Sequence, residues 1–237
     1  MISFMMDGQP VEGKEGGNLL EVALDAGIEI PHLCYHESVK PYGACRLCLV
    51  EVFRNGRSRM TTACTYPVQN GIEVHTRTEK VLRARRLIME LILAMCPGDK
   101  KIQQMAREMG VEEVRFKKEE KDCILCGLCA RVCDEVVGAH AIQFASRGDR
   151  REVTPPFGGE AMNCIACGAC VLVCPVDVIG IKEEGDERTI VRWKRTLKMK
   201  QCKVCGNYFA PWFQVEKFRE KAGLPKDFFD VCYSCRG

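Results

Sequence analysis

Cys123-Ile124-Leu125-Cys126-Gly127-Leu128-Cys129-Ala130-Arg131-Val132-Cys133 and Cys164-Ile165-Ala166-Cys167-Gly168-Ala169-Cys170-Val171-Leu172-Val173-Cys174-Pro175 decide how this chain is read. Every cysteine of the second run lies 41 residues after its counterpart in the first, so the segment is an internal repeat. Ala141-Ile142 and Val178-Ile179 follow the two runs at broadly similar distances. The chain as a whole holds 17 cysteines in 237 residues, an odd number gathered in tight C-x2-C groups. It starts Met1-Ile2-Ser3-Phe4, with no basic segment followed by an apolar one. Thiolate ligation of metal in a reducing, cytoplasmic setting is therefore expected over a secreted disulfide scaffold.

The spacing C-x2-C-x2-C-x3-C is the run found in bacterial two-cluster ferredoxins, where the fourth cysteine ligates the other cluster. Cys123, Cys126, Cys129 and Cys174 are thus expected to hold one 4Fe–4S cluster, and Cys164, Cys167, Cys170 and Cys133 a second. Crossed ligation of this kind brings both clusters into one compact domain. Asp134 stands where proline usually follows the first run, but proline is not a ligand.

Two further groups of four stand outside the repeat. Cys34, Cys45, Cys48 and Cys64 form a variant of the plant-type 2Fe–2S pattern, with a longer first gap. Gly43-Ala44 ahead of Cys45 lets the backbone approach the sulfides. A four-cysteine zinc site is the competing assignment. His32 and His36 flank Cys34, but the cysteines already complete a ligand set, so the histidines are expected to be polar loop residues. Near the end, Cys202-x2-Cys205 and Cys232-x2-Cys235 have the spacing of a tetrahedral structural Zn²⁺ site, with rubredoxin-type iron or a 2Fe–2S cluster as alternatives. So small a unit builds little core, and a metal staple is expected there. Cys96, the cysteine left over, is expected to be a buried small hydrophobe at a helix end, or else the remnant of a lost ligand.

The surrounding segments give an α+β, modular chain. Residues 1–78 show strand signals around Asp7-Gly8 and Asn55-Gly56, and a helix Leu19 to Ala26 capped by Asn18 and stopped by Gly27. Residues 79–118 carry two helices, Glu79 to Met95 and Lys101 to Met109. Residues 119–185 contain the two-cluster repeat. Residues 186–237 are expected to be a charged linker, 186 to 200, and then the four-cysteine unit. Arg83, Arg85 and Arg86 make a short basic cluster, expected on a solvated helix face or, alternatively, at a docking site for an acidic partner.

Several classes are excluded. A formal net charge of +3 argues against nucleic-acid binding. The most apolar stretch, Leu87 to Met95, is interrupted by Glu90 and too short to span a bilayer. There is no glycine-rich dinucleotide fingerprint, no P-loop and no catalytic Ser/His/Asp arrangement. A non-catalytic role is expected.

Ile30-Pro31-His32-Leu33-Cys34-Tyr35-His36, with Gly43-Ala44-Cys45-Arg46-Leu47-Cys48-Leu49-Val50-Glu51-Val52, resembles the 2Fe–2S domain of the large iron–sulfur subunit of NADH:quinone oxidoreductase. It equally resembles the N-terminal regions of FeFe-hydrogenases and of NAD-linked formate dehydrogenase large subunits. Both cysteine runs, Phe144-Ala145-Ser146-Arg147-Gly148 and Pro155-Pro156-Phe157 resemble those proteins too. The resemblance covers residues 1 to about 182. It implies a β-grasp 2Fe–2S domain, a helical linker and a bacterial-type 2[4Fe–4S] ferredoxin domain, to which the cysteine spacing adds a zinc-ribbon-like tail. The family's histidine/three-cysteine cluster is degenerate here, because Cys96-Pro97-Gly98-Asp99-Lys100 stands where that site would begin and the remaining cysteines are missing. The family's large catalytic domain is not expected as part of this chain. The implied role is an electron relay between a flavoprotein subunit binding FMN and NAD(P)H and a separate catalytic subunit, in a complex that bifurcates electrons in some relatives. A free-standing ferredoxin-like carrier and a redox-sensing or zinc-scaffold module are the alternatives.

Overall fold

A computed structural model describes residues 1–118 and 121–236. The chain divides into two units, Met1–Cys126 and the part from Gly127 onward, so the division falls inside the first cysteine run.

In the first unit, β1 (Ile2–Met6) turns back through Asp7-Gly8 into β2 (Gln9–Gly13). Both turn residues have positive φ, 48° and 81°, as a type I′ turn needs. Helix α1 (Leu19–Asp25) begins where the Asn18 side chain accepts a hydrogen bond from the Leu20 N–H at 2.9 Å. Strands β3 (Leu49–Arg54) and β4 (Arg57–Thr62) are joined at Asn55-Gly56, again with positive φ. The short β5 (Glu73–His75) slots between β1, to which it is parallel, and β3, to which it is antiparallel. The sheet order is β2-β1-β5-β3-β4.

Alternation puts Phe4 and Met6 of β1 on the inner face while Met5 is exposed. They pack with Val50, Val52, Val74 and the Leu19–Leu20 side of α1. Cys48 and Cys64 belong to this same buried cluster, so the ends of the sulfur loop are rooted in the core. Helix α2 (Glu79–Met95) starts at a Thr78 cap and packs on β3, and α3 (Lys100–Glu108) starts at an Asp99 cap. The helical segment expected as a linker is therefore part of the first unit.

The second unit opens with a four-residue helix, α4 (Leu128–Arg131), which continues into a wide turn over Val132–Val137. A hairpin of β6 (Gln143–Ala145) and β7 (Glu152–Thr154) follows, then α5 (Ala169–Leu172). Next comes an antiparallel sheet of β8 (Ile181–Glu184), β9 (Glu187–Ile190), β10 (Arg195–Gln201) and β11 (Tyr208–Pro211), in the order β11-β10-β9-β8. Helices α6 (Trp212–Ala222) and α7 (Tyr233–Arg236) complete it. The expectation of a charged linker over 186–200 is corrected here: those residues form β9, its turn and most of β10. Charged side chains occupy the solvent side of the hairpin, while Ile190 and Trp193 are fully buried on the other. Two inward residues, one of them within the turn, leave no regular alternation to see.

Candidate metal centres

In the first unit, Cys34, Cys45, Cys48 and Cys64 are all buried. Gly43 has φ +70°, and a Cβ there would approach Thr65 Cγ2 to 3.1 Å. Both the conformation and the space therefore call for glycine. Arg46 is left-handed too, φ 60°, which curls the loop so that the Cys45 N–H points at Cys34 Sγ, 3.3 Å away. Cys48 enters β3, and its carbonyl accepts from the Ala63 N–H at 2.9 Å. Asn18, beyond capping α1, donates its side-chain amide to the Cys64 carbonyl at 3.0 Å. The four thiols converge. Hydrogen bonds from Cys45 and Cys64 pull the Cys34 thiol down to about 2, and Cys64 draws Cys48 down to about 7. The same contacts push Cys45 and Cys64 upward. Four sulfurs this close cannot all ionise in a buried loop unless cations sit among them. Four thiolates with a backbone donor aimed at sulfur suit a two-iron, two-sulfide core.

His32 and His36 behave as loop residues. The His32 ring donates to the Ile30 carbonyl at 2.8 Å, and the His36 ring accepts from the Ser38 N–H at 3.2 Å. Cys96 is buried where α2 ends. Arg83 and Arg86 are exposed, but Arg85 is buried, which corrects the expectation that all three lie on a solvated face.

The repeat has matching backbone. The Leu125 N–H points at Cys123 Sγ and the Ala166 N–H at Cys164 Sγ, each at 3.4 Å. Leu125 and Ala166 are both left-handed, as are Gly127 and Gly168 two residues later. In the second unit, Cys133, Cys164, Cys167 and Cys170 line one cavity walled by Ala141, Ile142, Ile165 and Ile190. Three donors reach sulfur in this set: Ala166, the Ala141 N–H on Cys133 and the Trp193 ring Nε1–H on Cys170, each at 3.4 Å. Burial pushes the Cys170 thiol up to about 12, against the pull of Trp193. The β9–β10 hairpin grips the same loop, with Arg195 donating to the Cys164 carbonyl at 3.1 Å and Arg188 to the Ala166 carbonyl at 3.4 Å. An apolar, water-poor cavity ringed by four thiols and N–H donors fits a cubane cluster. Of the other set, Cys123 and Cys126 end the first unit, while Cys129 lies on α4 and Cys174 follows α5 in the second.

The tail cysteines differ in scale. The sulfurs of Cys202, Cys205, Cys232 and Cys235 all lie within 4.8 Å of one another, the only group so close among the described residues. Cys205 and Cys232 are 3.9 Å apart. Sulfurs on a tetrahedron around one ion at about 2.3 Å are about 3.8 Å apart. The Cys202–Gly206 knuckle closes through the Gly206 N–H on the Cys202 carbonyl at 3.0 Å. Backbone N–H groups of Cys205 and Cys232 hold the Cys202 thiol down to about 6. Asp230 braces the knuckle by pairing with Lys200 at 2.9 Å and Lys203 at 2.6 Å.

Residues 1–79 match the family of 2Fe-2S iron-sulfur cluster binding domains, and residues 163–210 match the 4Fe-4S dicluster domain. An NADH-quinone oxidoreductase subunit of Rickettsia typhi is 34% identical over 179 residues, 65% of this chain and 26% of that protein. The chain is similar to the N-terminal region of that subunit, and the domains it matches are iron–sulfur domains. It is also 34% identical, over 174 residues, to the alpha subunit of the NADPH-Fe(3+) oxidoreductase of Geobacter sulfurreducens, covering 63% of the chain and 20% of that protein. It thus spans about a quarter of the length of the curated relatives it matches. Among solved structures it is similar to a chain of an NAD⁺-reducing [NiFe]-hydrogenase in the H₂-reduced state, with TM-score 0.65 and 29% identity, covering 74% of this chain and 85% of that one. Among the described residues, no helix is long and apolar enough to cross a membrane.

Sequence reasoning missed Arg85, Trp193 and Arg195. Trp193 and Arg195 sit in a segment dominated by charge, and Arg85 lies between the exposed Arg83 and Arg86, so nothing local marks them as reaching the cysteine loops.

Proposed function

We propose that this chain is a non-catalytic electron relay carrying one 2Fe–2S cluster on Cys34, Cys45, Cys48 and Cys64 in a β-grasp-type domain. Two 4Fe–4S clusters sit on the crossed sets of the repeat. The observation that carries the proposal is the ring of four cysteines around an apolar cavity with N–H donors aimed at sulfur. When bound, such clusters supply one-electron transfer. The chain's own residues do the rest. Thiolates hold the iron, N–H groups stabilise charge on sulfur, and Ile142, Ile165 and Ile190 exclude water. Outer-sphere transfer needs fixed spacing and dry surroundings, not a substrate pocket.

The partners we propose are a flavoprotein subunit binding FMN and NAD(P)H and a catalytic oxidoreductase subunit, in a cytoplasmic complex. The similar proteins are named for NADH, NADPH and NAD⁺ chemistry, which supports this. Phe157, Leu172 and Tyr233 expose most of their side chains, as a subunit surface would. For the tail we propose one Zn²⁺ held by Cys202, Cys205, Cys232 and Cys235. The sulfur separations favour a single tetrahedral ion over a two-iron core, whose opposite-side thiolates stand further apart.

An anaerobic preparation with iron, acid-labile sulfide and zinc counted, and spectra taken during stepwise reduction, tests the proposal. About ten irons and one zinc per chain are expected from the ligand sets. A colourless protein without labile sulfide would end it.

A further inference from the structure

Arg85 lies on the inner side of α2 and is 4% exposed. Its guanidinium directs two donors at a single acceptor, the Leu49 carbonyl, with Nε at 3.0 Å and Nη2 at 2.5 Å. Leu49 directly follows Cys48 and starts β3. Among the described residues no carboxylate lies within ion-pairing distance of Arg85. The charges that favour its protonated form are the Cys48 thiolate first and then Asp7, whose carboxylate is already engaged by the Thr76 N–H and hydroxyl. Burial lowers its pKa to about 10, so it stays charged at neutral pH. A buried cation without a counter-ion is costly, and such groups persist where something nearby carries the opposite charge.

We propose that Arg85 is the counter-charge of the centre on Cys34, Cys45, Cys48 and Cys64, a positioning residue that fixes the Cys48–Leu49 backbone and raises that centre's reduction potential. The inference rests on the 2Fe–2S reading of those cysteines. A two-iron, two-sulfide core with four thiolates is net negative and gains one more negative charge on reduction. A fixed buried cation therefore stabilises the reduced form more than the oxidised one. It also places control of the potential on α2, outside the loop that holds the iron. Among the described residues, no other cation packed against this backbone is buried. Lys80, which reaches Glu51 on β3, is solvent-exposed.

The test uses the full chain with its clusters, comparing Arg85→Gln and Arg85→Lys with the parent. Gln keeps N–H donors for the Leu49 carbonyl but drops the charge, and Lys keeps the charge. Redox titration followed by electron paramagnetic resonance reads the 2Fe–2S signal, with the 4Fe–4S signals as internal controls. Arg85→Gln should shift the reduced-to-oxidised ratio at fixed potential by about tenfold toward oxidised, while Arg85→Lys stays near the parent. If Arg85→Gln loses the centre, Arg85→Lys decides alone, and a parent-like potential supports the proposal. An Arg85→Lys variant that falls as far as Gln or loses the centre overturns it, as does an unshifted Gln variant. Absence of the two-iron signal from the parent would refute the underlying 2Fe–2S reading instead, so the two failures are distinguishable.

Discussion

Trp193→Phe is the sharpest probe of the cluster set in the second unit. The indole ring is buried, and its Nε1–H donates to Cys170 Sγ at 3.4 Å. Phenylalanine keeps an aromatic ring in the cavity wall but has no donor. A hydrogen bond to a charged acceptor contributes about 1.5–3 kcal/mol. Only its difference between oxidation states moves a potential, and we take that difference as about 1 kcal/mol at this long donor–sulfur distance. Since about 1.4 kcal/mol corresponds to about 59 mV for one electron, the variant should fall by about 40 mV. The sign is fixed by charge: the donor favours the more negative, reduced state, so its loss lowers the potential. The smaller ring also leaves a void costing about 1–2 kcal/mol of stability, which a denaturation curve reads separately. The assay is a titration of the 4Fe–4S signals at full iron occupancy. Neither signal moving by more than about 10 mV would refute the reasoning, as would an equal drop in the 2Fe–2S centre, which Trp193 does not serve.

Three more outcomes follow from the same structure. Asn18→Ala removes both the α1 cap and the bond to the Cys64 carbonyl, and should cost about 1–2 kcal/mol and speed loss of the 2Fe–2S signal on dilution or heating. Cys202→Ser should lower zinc by about one per chain and open the tail to protease while iron and sulfide hold steady, and a loss of iron instead would contradict a separate zinc staple. Glu90 is buried on α2, and hydrogen bonds from Arg115 hold its carboxyl below the usual range. Its folded value lies below its unfolded one, so its contribution is full above the ordinary acid value of about 4.3 and fades as pH falls through the folded value. The stability gap between the parent and Glu90→Gln should therefore hold steady from neutral pH down to about 5 and narrow only as pH falls further, and a gap constant throughout would show that the charge of Glu90 plays no part.

Much of the fold was legible because its signals are local. Asn55-Gly56 and Asp7-Gly8 demand positive φ, and both lie at hairpin turns. Asn18, Thr78 and Asp99 accept from the first turns of their helices, so α1, α2 and α3 start where the chain places caps. The β9–β10 hairpin was not legible. Glu184-Gly185-Asp186-Glu187 reads as charge, yet Gly185 sits at φ 61° in the turn between β8 and β9. The alternation that would mark the strands is broken by Arg188 and Arg195, which turn inward to reach carbonyls of the sulfur loop.

The sequence by itself determined the cysteine groups, because thiolates that share a metal must be spaced to suit a tight loop, and that spacing is written in the chain. The matching domain families are of the types that those groups imply. Only the tertiary structure decided which charges and donors surround the sulfurs. Arg85 reaches Leu49 across 36 residues, and Trp193 reaches Cys170 across 23. Contacts between distant segments have no period and no motif, because they arise from how a helix or hairpin packs after it has formed. The kinds of metal group this chain can carry follow from its order of residues, and the electrostatic setting of each follows from its packing.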